Sequence, residues 1–153
     1  MARVFATLDR NALGPNLDLE QGGLIVTFDK PSPTINRLAR GTLGINKGKA
    51  FFEAAFYGDG ALLNQTAVGI VQGTHLTSKY VGEQDGYGLK VGNGGIYRAG
   101  VLLENTVAPG EVEVPVGKKV FIGVLVDMLA RTCSWYIDGS LRHKVTGIAK
   151  TPW

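Results

Sequence analysis

The sequence predicts an all-β protein, an antiparallel sandwich or barrel, and three observations support this fold class. Apolar and polar residues alternate over many short segments, and no segment carries a sustained helical stripe. Glycine accounts for 22 of the 153 residues, about twice the usual share, and is scattered without a collagen-like period. The dipeptide Asp138-Gly139 lies between two alternating segments, which is a strong hairpin signal.

The predicted strands follow one another along the chain. Segment 49–57 alternates so that Phe52 and Phe56 lie on one fully apolar face. Segment 120–126 is apolar on both sides, as expected of a central strand in a sandwich. The other predicted strands are, in order, 4–8, 24–28, 66–71, 87–91, 101–104, 112–116, 132–137 and 141–145. About ten short strands separated by turn residues are typical of an antiparallel sandwich or barrel.

The turn residues support this order of strands. Asp138-Gly139 suits a type I′ turn, which needs a positive φ at both central residues. Asn93-Gly94-Gly95 predicts a second tight connection, which leads into Ile96 and Tyr97. Strands 4–8 and 24–28 fall within residues 1–34, which we take as lead-in strands of one domain spanning residues 1–153.

Charge and cysteine content exclude several classes of partner. Sixteen basic and thirteen acidic residues give a net charge of +3, and no basic run exceeds Lys118-Lys119, so no nucleic-acid interface is predicted. Cys133 is the one cysteine, which rules out an internal disulfide, and its apolar setting predicts a buried, inert thiol. No apolar run approaches the roughly 18 residues of a membrane span, and no signal peptide is apparent. We therefore expect a soluble chain with no membrane partner.

Some sandwich folds are glycosidases, which act through a pair of carboxylates. Glu111 and Glu113 lie on one strand face, but Val114-Pro115-Val116 follows where a sandwich glycosidase would carry further acidic residues. Both glutamates are better explained as solvent-facing residues of an edge strand than as a catalytic pair. The sequence therefore predicts no catalytic residues.

The histidines and the glycine-rich loop predict no other chemistry. His75 lies in a polar loop, and His143 lies on an alternating strand, facing the same way as Leu141 and Val145. No nucleophile elbow or metal-binding histidine pair is present. The loop at 92–95 has neither the lysine nor the helix start of a phosphate loop. We expect no enzyme activity, no metal and no cofactor.

Five motifs in order resemble those of SPRY domains and cover roughly residues 35 to 145. Gly-Lys-Ala-Phe-Phe-Glu at 48–53 resembles the family strand that reads Gly-Lys, three aromatic residues and Glu. The other four are the segments at 67–70, 85–89, 95–100 and 120–139, the last ending in Trp-Tyr-Ile-Asp-Gly. The resemblance implies a concanavalin-like bent β-sandwich, a jelly roll of two antiparallel sheets. It also places Trp135 in the core.

The N-terminal segments 8–26 and 40–44 are similar to the lead-in of SPRY-like modules found in bacteriophage virion proteins. This similarity implies a non-enzymatic structural or interaction module: a capsid decoration, head-fibre or tail component, located in the virion after assembly in the host cytoplasm. Its partners would be other virion proteins or further copies of itself. The alternative is a recognition module for a short peptide or a glycan on a host or partner protein.

The resemblance implies a binding surface made by the loops at 57–65, 73–85 and 92–99. Aromatic rings with a polar tip suit such a surface. The candidate binding residues in these loops are His75, Lys79, Tyr80, Tyr97 and Arg98. Trp153, the last residue, is a candidate assembly contact, because an exposed terminal indole would otherwise favour aggregation.

Overall fold

The computed structural model describes residues 7–27, 38–42, 44–57, 66–74, 79–91, 94–105, 119–150 and 153. The chain divides into two compact units. The first unit comprises Met1–Gly44 and Thr74–Tyr80, and the second comprises Ile45–Gly73 and Val81–Trp153. The single domain over residues 1–153, with 1–34 as its lead-in, stays a prediction.

The first unit contains four short strands in two antiparallel pairs: β1 (Leu8–Leu13) with β4 (Ala39–Gly41), and β2 (Asp18–Glu20) with β3 (Ile25–Thr27). Strand β3 confirms the described part of the strand predicted at 24–28. Of the strand predicted at 4–8, residues 4–6 lie outside the described part of the chain; of the other two, Leu8 begins β1 and Thr7 is not in a strand.

The second unit contains two four-stranded antiparallel sheets. Sheet A has the order β12-β11-β10-β5, and sheet B has the order β6-β7-β8-β9. The strands are β5 (Lys49–Tyr57), β6 (Ala67–Ile70), β7 (Tyr87–Lys90), β8 (Gly95–Arg98), β9 (Val101–Asn105), β10 (Lys119–Asp127), β11 (Thr132–Ile137) and β12 (Ser140–Thr146).

One hydrophobic core lies between the two sheets. Sheet A contributes alternate residues of β10 and β11, and sheet B contributes residues of β6, β7 and β8. The largest fully buried side chains are Trp135, Leu89, Ile96, Ile122, Ile148, Val91, Val124, Val126 and Cys133. The predicted all-β antiparallel sandwich is confirmed, as is the core position of Trp135.

The strands predicted in the second unit agree closely with the structure. Strand β10 pairs with β5 on one side and β11 on the other, which confirms it as a central strand. Strand β5 packs Ala54 and Phe56 against the core, but Phe52 on the same face is 41% exposed. The predicted fully apolar face of β5 is therefore only partly covered, because β5 ends the strand order of sheet A. The strand predicted at 112–116, with the adjacent Glu111, lies outside the described residues.

The predicted Asp138-Gly139 hairpin joins β11 to β12. Asp138 has φ 47° and Gly139 has φ 78°, the two positive values that a type I′ turn needs. The Asp138 carboxylate accepts a hydrogen bond of 3.0 Å from the Phe121 amide, which ties the turn to β10.

A bulge in β12 changes which residues face the core. Trp135 pairs with His143, but Tyr136 pairs with Leu141, so Arg142 is an extra residue on β12. His143 is buried, whereas Leu141 is 56% exposed. The prediction that Leu141 and His143 face the same way is therefore wrong, because one extra residue reverses the alternation.

Candidate interaction surfaces

The part of the chain that the structure describes contains no group of three or more His, Cys, Asp or Glu side chains that could hold a metal ion. Within the same residues, no helix is long and apolar enough to cross a membrane. Cys133 is fully buried, and this burial raises the pKa of its thiol.

The end of β8 fixes Arg98 in an exposed position. Arg98 pairs with Tyr87 across the β7–β8 ladder, so both side chains lie on the same face of sheet B. The guanidinium carbon lies 5.0 Å from the centroid of the buried Tyr87 ring, a cation–π contact. The ring restricts the guanidinium while leaving Arg98 exposed.

The turn after Arg98 is tight and is tied to a neighbouring loop. Ala99 has φ 51° and Gly100 has φ 76°, and the Gly100 amide donates a 2.9 Å hydrogen bond to the Gly82 carbonyl. Beyond the turn, Val101 pairs with Arg98, shares its face and is 62% exposed, whereas Leu102 pairs with Tyr97 and lies on the other face. We call residues 98–101 the hairpin surface: one fixed positive charge beside one exposed apolar side chain.

Tyr97 lies on the other face of sheet B. It is half-buried and stands directly opposite Gly88. The Val81 carbonyl occupies the place where a side chain at Gly88 would stand, so the chain at Val81 covers this part of the face. Tyr97 is therefore adjacent to Arg98 in sequence but does not share its surface.

The remaining predicted binding residues fall elsewhere. Lys79 and Tyr80 belong to the first unit and are half-buried, and His75 lies outside the described residues. The structure thus places Tyr97 and Arg98 on one strand, and Lys79 and Tyr80 side by side in the other unit. A single binding site made by all five residues stays a prediction.

Trp153 is buried, not exposed as the sequence suggested. Its indole N–H donates a 3.0 Å hydrogen bond to the Ala149 carbonyl, and its ring meets Tyr87 edge-on at 5.7 Å. Its backbone exchanges two hydrogen bonds with Ile45. The expectation of an exposed terminal indole is wrong, because this side chain completes the core at 8% exposure. A role for Trp153 in assembly stays a prediction.

The outer face of sheet A is a second candidate surface, which was not predicted from the sequence. Four of its apolar side chains are strongly exposed: Phe51 at 58%, Tyr57 at 67%, Phe121 at 42% and Leu141 at 56%. The signal was present in the alternation of 49–57, which places Phe51 and Tyr57 opposite the core-facing residues. We call these four residues, with the half-buried Leu125 and Tyr136 between them, the outer patch.

Comparison with solved structures shows the fold of SPRY domains. The structure resembles the crystal structure of the TRIM65 PSpry domain with a TM-score of 0.67 and 14% sequence identity, over 96% of this chain and 82% of that one. It also resembles the SPRY domain of human HERC1 with a TM-score of 0.69 and 17% identity, over 95% of this chain and 84% of that one. No protein-family model matches the sequence. No curated protein matches it either. The likeness confirms the SPRY-type β-sandwich that the motifs implied, and it carries no information about a virion.

Proposed function

We propose that this chain is a non-enzymatic interaction module that binds a protein partner through its hairpin surface, without a cofactor. The observation that carries the proposal is the exposed Arg98, held against the Tyr87 ring beside the exposed Val101. The SPRY-type fold supports it, since the solved structures that the chain resembles are SPRY domains.

The chemistry of the hairpin surface defines the partner. Arginine is enriched among the few residues that dominate the energetics of protein interfaces, and a positioned guanidinium binds carboxylates with two hydrogen bonds. The turn at Ala99 and Gly100 is already fixed by its hydrogen bond to Gly82, so little conformational entropy is lost on binding. The matching ligand is a short peptide with an acidic side chain next to an apolar one.

Selection from a displayed library of random peptides tests this proposal. We expect the wild-type protein to enrich acidic-apolar peptides, and Arg98→Glu to weaken their binding at least about tenfold, as loss of an interface arginine does. The matched control is Arg142→Glu, the same charge reversal at another exposed arginine, which should bind as the wild type does. An equal loss in both variants, or no enrichment by the wild type, would reject the hairpin surface as the binding site.

We further propose that the module acts on a bacteriophage particle, as a capsid decoration, head-fibre or tail component located in the virion. This proposal rests on the similarity of segments 8–26 and 40–44 to the lead-in of phage SPRY-like modules. Its partners are then other virion proteins or further copies of this chain. Mass spectrometry of purified particles tests it, and absence of the polypeptide from those particles would reject it.

The alternative ligand is a glycan on a host surface, for which Tyr80 and Tyr97 would supply flat stacking surfaces. A glycan array probed with the wild type, Tyr80→Ala and Tyr97→Ala separates the two ligand classes. Glycan binding that either substitution abolishes would favour a glycan over a peptide. Absence of binding, or binding that neither substitution changes, would leave the peptide as the proposed ligand.

A further inference from the structure

Strand β5 is an edge strand without the features that usually protect one. It ends the strand order of sheet A and pairs with β10 along all its 9 residues without a shift of register. It contains no proline and no bulge, and Glu53 is its one charge after the first residue. The opposite edge strand, β12, has a bulge at Arg142 and a further charge at Lys144. Bulges and charges of this kind keep an edge from pairing with another chain, so β5 is the less protected edge of sheet A.

The backbone of β5 is open along this edge. The Gly48 carbonyl accepts a 2.9 Å hydrogen bond from the Met128 amide, in register with the ladder between β5 and β10. Hydrogen bonds of an antiparallel ladder involve alternate residues, so the even-numbered residues of β5 bond to β10. The backbone groups that point away from β10 are those of Phe51, Glu53, Ala55 and Tyr57. Among the described residues, none of these groups has a backbone partner.

The side chains of β5 are also uncovered at this edge. Phe51 is 58% and Tyr57 is 67% exposed on the outer face, and Ala55 between them is exposed too. Phe52 is 41% exposed although it faces the core, because no strand lies beyond β5 in the part of the chain that the structure describes. A further strand beside β5 would therefore cover apolar side chains on both faces of the sheet.

We propose that a second copy of this chain adds its own β5 to this edge, antiparallel, around a two-fold axis perpendicular to sheet A at Ala54. Such an axis keeps the outer faces of the two copies on the same side and joins their four-stranded sheets into one. A two-fold interface must be complementary to itself, which an antiparallel pair of identical strands satisfies when the paired side chains suit each other.

The paired side chains of this dimer are mostly aromatic. On the outer face, Phe51 of each copy lies opposite Tyr57 of the other, so this pair occurs twice. On the core side, Phe52 lies opposite the half-buried Phe56 of the other copy, also twice. Aromatic pairs across neighbouring strands stabilise a sheet. The dimer therefore covers the three most exposed aromatic side chains of β5.

The charge of Glu53 and the positions of the aromatic residues select this register. A register centred on Glu53 sets two glutamates directly opposite each other, which is destabilising. Registers centred nearer either end of β5 leave Phe51 or Tyr57 beyond the paired segment. The register centred on Ala54 avoids both faults, because it sets Glu53 opposite Ala55.

The interface is small, so the dimer is weak. Pairing from Phe51 to Tyr57 makes about eight backbone hydrogen bonds, two for each hydrogen-bonded pair. A single added strand buries less than the roughly 1,200 Å² of a standard interface. We expect a dissociation constant between about 10 and 300 µM.

This inference rests on the self-association part of the proposed function, because it assigns that association to β5. The hairpin surface lies on β8 and β9 and takes no part in it. Peptide binding and dimerisation are measured separately, so either proposal can fail while the other stands.

Substitution of Ala55 tests the edge, with the mass in solution measured by sedimentation equilibrium over a concentration series. Ala55→Pro removes an N–H that points away from β10, which an edge strand tolerates, and this variant should stay monomeric. Because Ala55 lies opposite Glu53 of the other copy, Ala55→Glu should raise the dissociation constant about fivefold and Ala55→Lys should lower it about fivefold. Circular dichroism of each variant confirms that it is folded.

The matched pair Tyr57→Ser and Leu141→Ser separates the edge from the outer face. Both side chains belong to the outer patch, at 67% and 56% exposure, but Leu141 lies on β12 at the far edge of sheet A. Tyr57→Ser should raise the dissociation constant at least about fivefold, because it removes both aromatic pairs of the outer face. Leu141→Ser should dimerise as the wild type does.

Four results would overturn the proposal. The first is a wild type that stays monomeric up to millimolar concentration, which would also reject self-association. The others are a folded Ala55→Pro variant that dimerises, a shift in the same direction by Ala55→Glu and Ala55→Lys, and equal losses in Tyr57→Ser and Leu141→Ser. Each of these three would leave self-association standing and reject only its assignment to β5.

Discussion

The indole N–H of Trp135 donates a buried 3.0 Å hydrogen bond to the backbone carbonyl of Val68 and so joins the two sheets of the sandwich. Trp135 lies on β11 of sheet A and Val68 on β6 of sheet B. A buried carbonyl left without a donor costs about 1–3 kcal/mol. This one bond therefore favours a single relative position of the two sheets over other packings of the same apolar surfaces.

Replacing Trp135 with phenylalanine should destabilise the protein by about 2–4 kcal/mol. The variant leaves the Val68 carbonyl without its donor and a small cavity beside the smaller ring. Urea unfolding followed by circular dichroism gives the change in the free energy of unfolding.

The control for this prediction is Trp153→Phe, which removes an equivalent indole N–H. The acceptor of Trp153 is the carbonyl of the half-buried Ala149, which water can reach more easily. We expect a loss below about 1.5 kcal/mol for this variant. Equal losses of unfolding free energy at the two positions would show that the Trp135–Val68 hydrogen bond between the sheets contributes no more to stability than the Trp153–Ala149 bond.

The Asp138-Gly139 turn should be sensitive to a side chain at its second position. Gly139 has φ 78°, and no atom lies within 4 Å of the place where a Cβ would stand, so any effect of Gly139→Ala comes from the backbone. A non-glycine residue in this region costs about 1–2 kcal/mol. Thermal unfolding by calorimetry should show a lower melting temperature.

Gly73→Ala is the matched control for the turn. Gly73 also has open space around it, but its φ is not positive. The alanine variant should be as stable as the wild type or slightly more stable, because it restricts the unfolded chain. If both variants lost stability equally, the positive φ of Gly139 would not explain the effect.

The sequence was sufficient where local chemistry decides the structure. The alternation in 49–57, the apolar segment 120–126 and the Asp138-Gly139 turn each depend on neighbouring residues, and each agrees with the structure. The three-residue strands β2 and β4 were missed, because so short a strand shows no period.

The sequence was insufficient where contacts between distant parts of the chain determine which side chains are buried. Leu141 faces outward because the register of β12 against β11 accommodates Arg142 as an extra residue, and a register cannot be read from alternation alone. Trp153 is buried because Ile45 and Tyr87, far away in sequence, surround it. For the same reason the outer patch was missed, since it combines side chains of four strands.

The Asp127 carboxylate should make stability depend on pH. Its oxygens accept hydrogen bonds from the Ala130 amide at 2.9 Å and the Leu129 amide at 3.0 Å, and it is paired with Lys49 at 3.0 Å. The Ala130 hydrogen bond, followed by Lys49, lowers the pKa of Asp127 in the folded protein. The resulting stabilisation is complete above the pKa of an unfolded aspartate and is lost as pH falls through the lower folded value.

Asp127→Asn keeps an acceptor oxygen and removes the charge. We expect this variant to be less stable than the wild type at pH 7, and the difference to shrink below about pH 4. Urea unfolding at several pH values measures both curves. Lys49→Met removes one cause of the lowered pKa, so its stability should fall less steeply on acidification. A constant difference between wild type and Asp127→Asn at every pH would contradict this account.

Cys133 should react with thiol reagents only when the core opens. It is fully buried on β11 between the two sheets, and burial raises the pKa of its thiol, so the reactive thiolate is scarce and shielded. We expect the native protein to react with a chromogenic disulfide reagent at pH 8 at least about a hundredfold more slowly than the urea-unfolded chain. Because the chain has one cysteine, the whole signal reports on this position, and Cys133→Ser gives the blank. Native reaction as fast as that of the unfolded chain would mean that sheets A and B separate readily, and the Trp135 bond would then not hold them together.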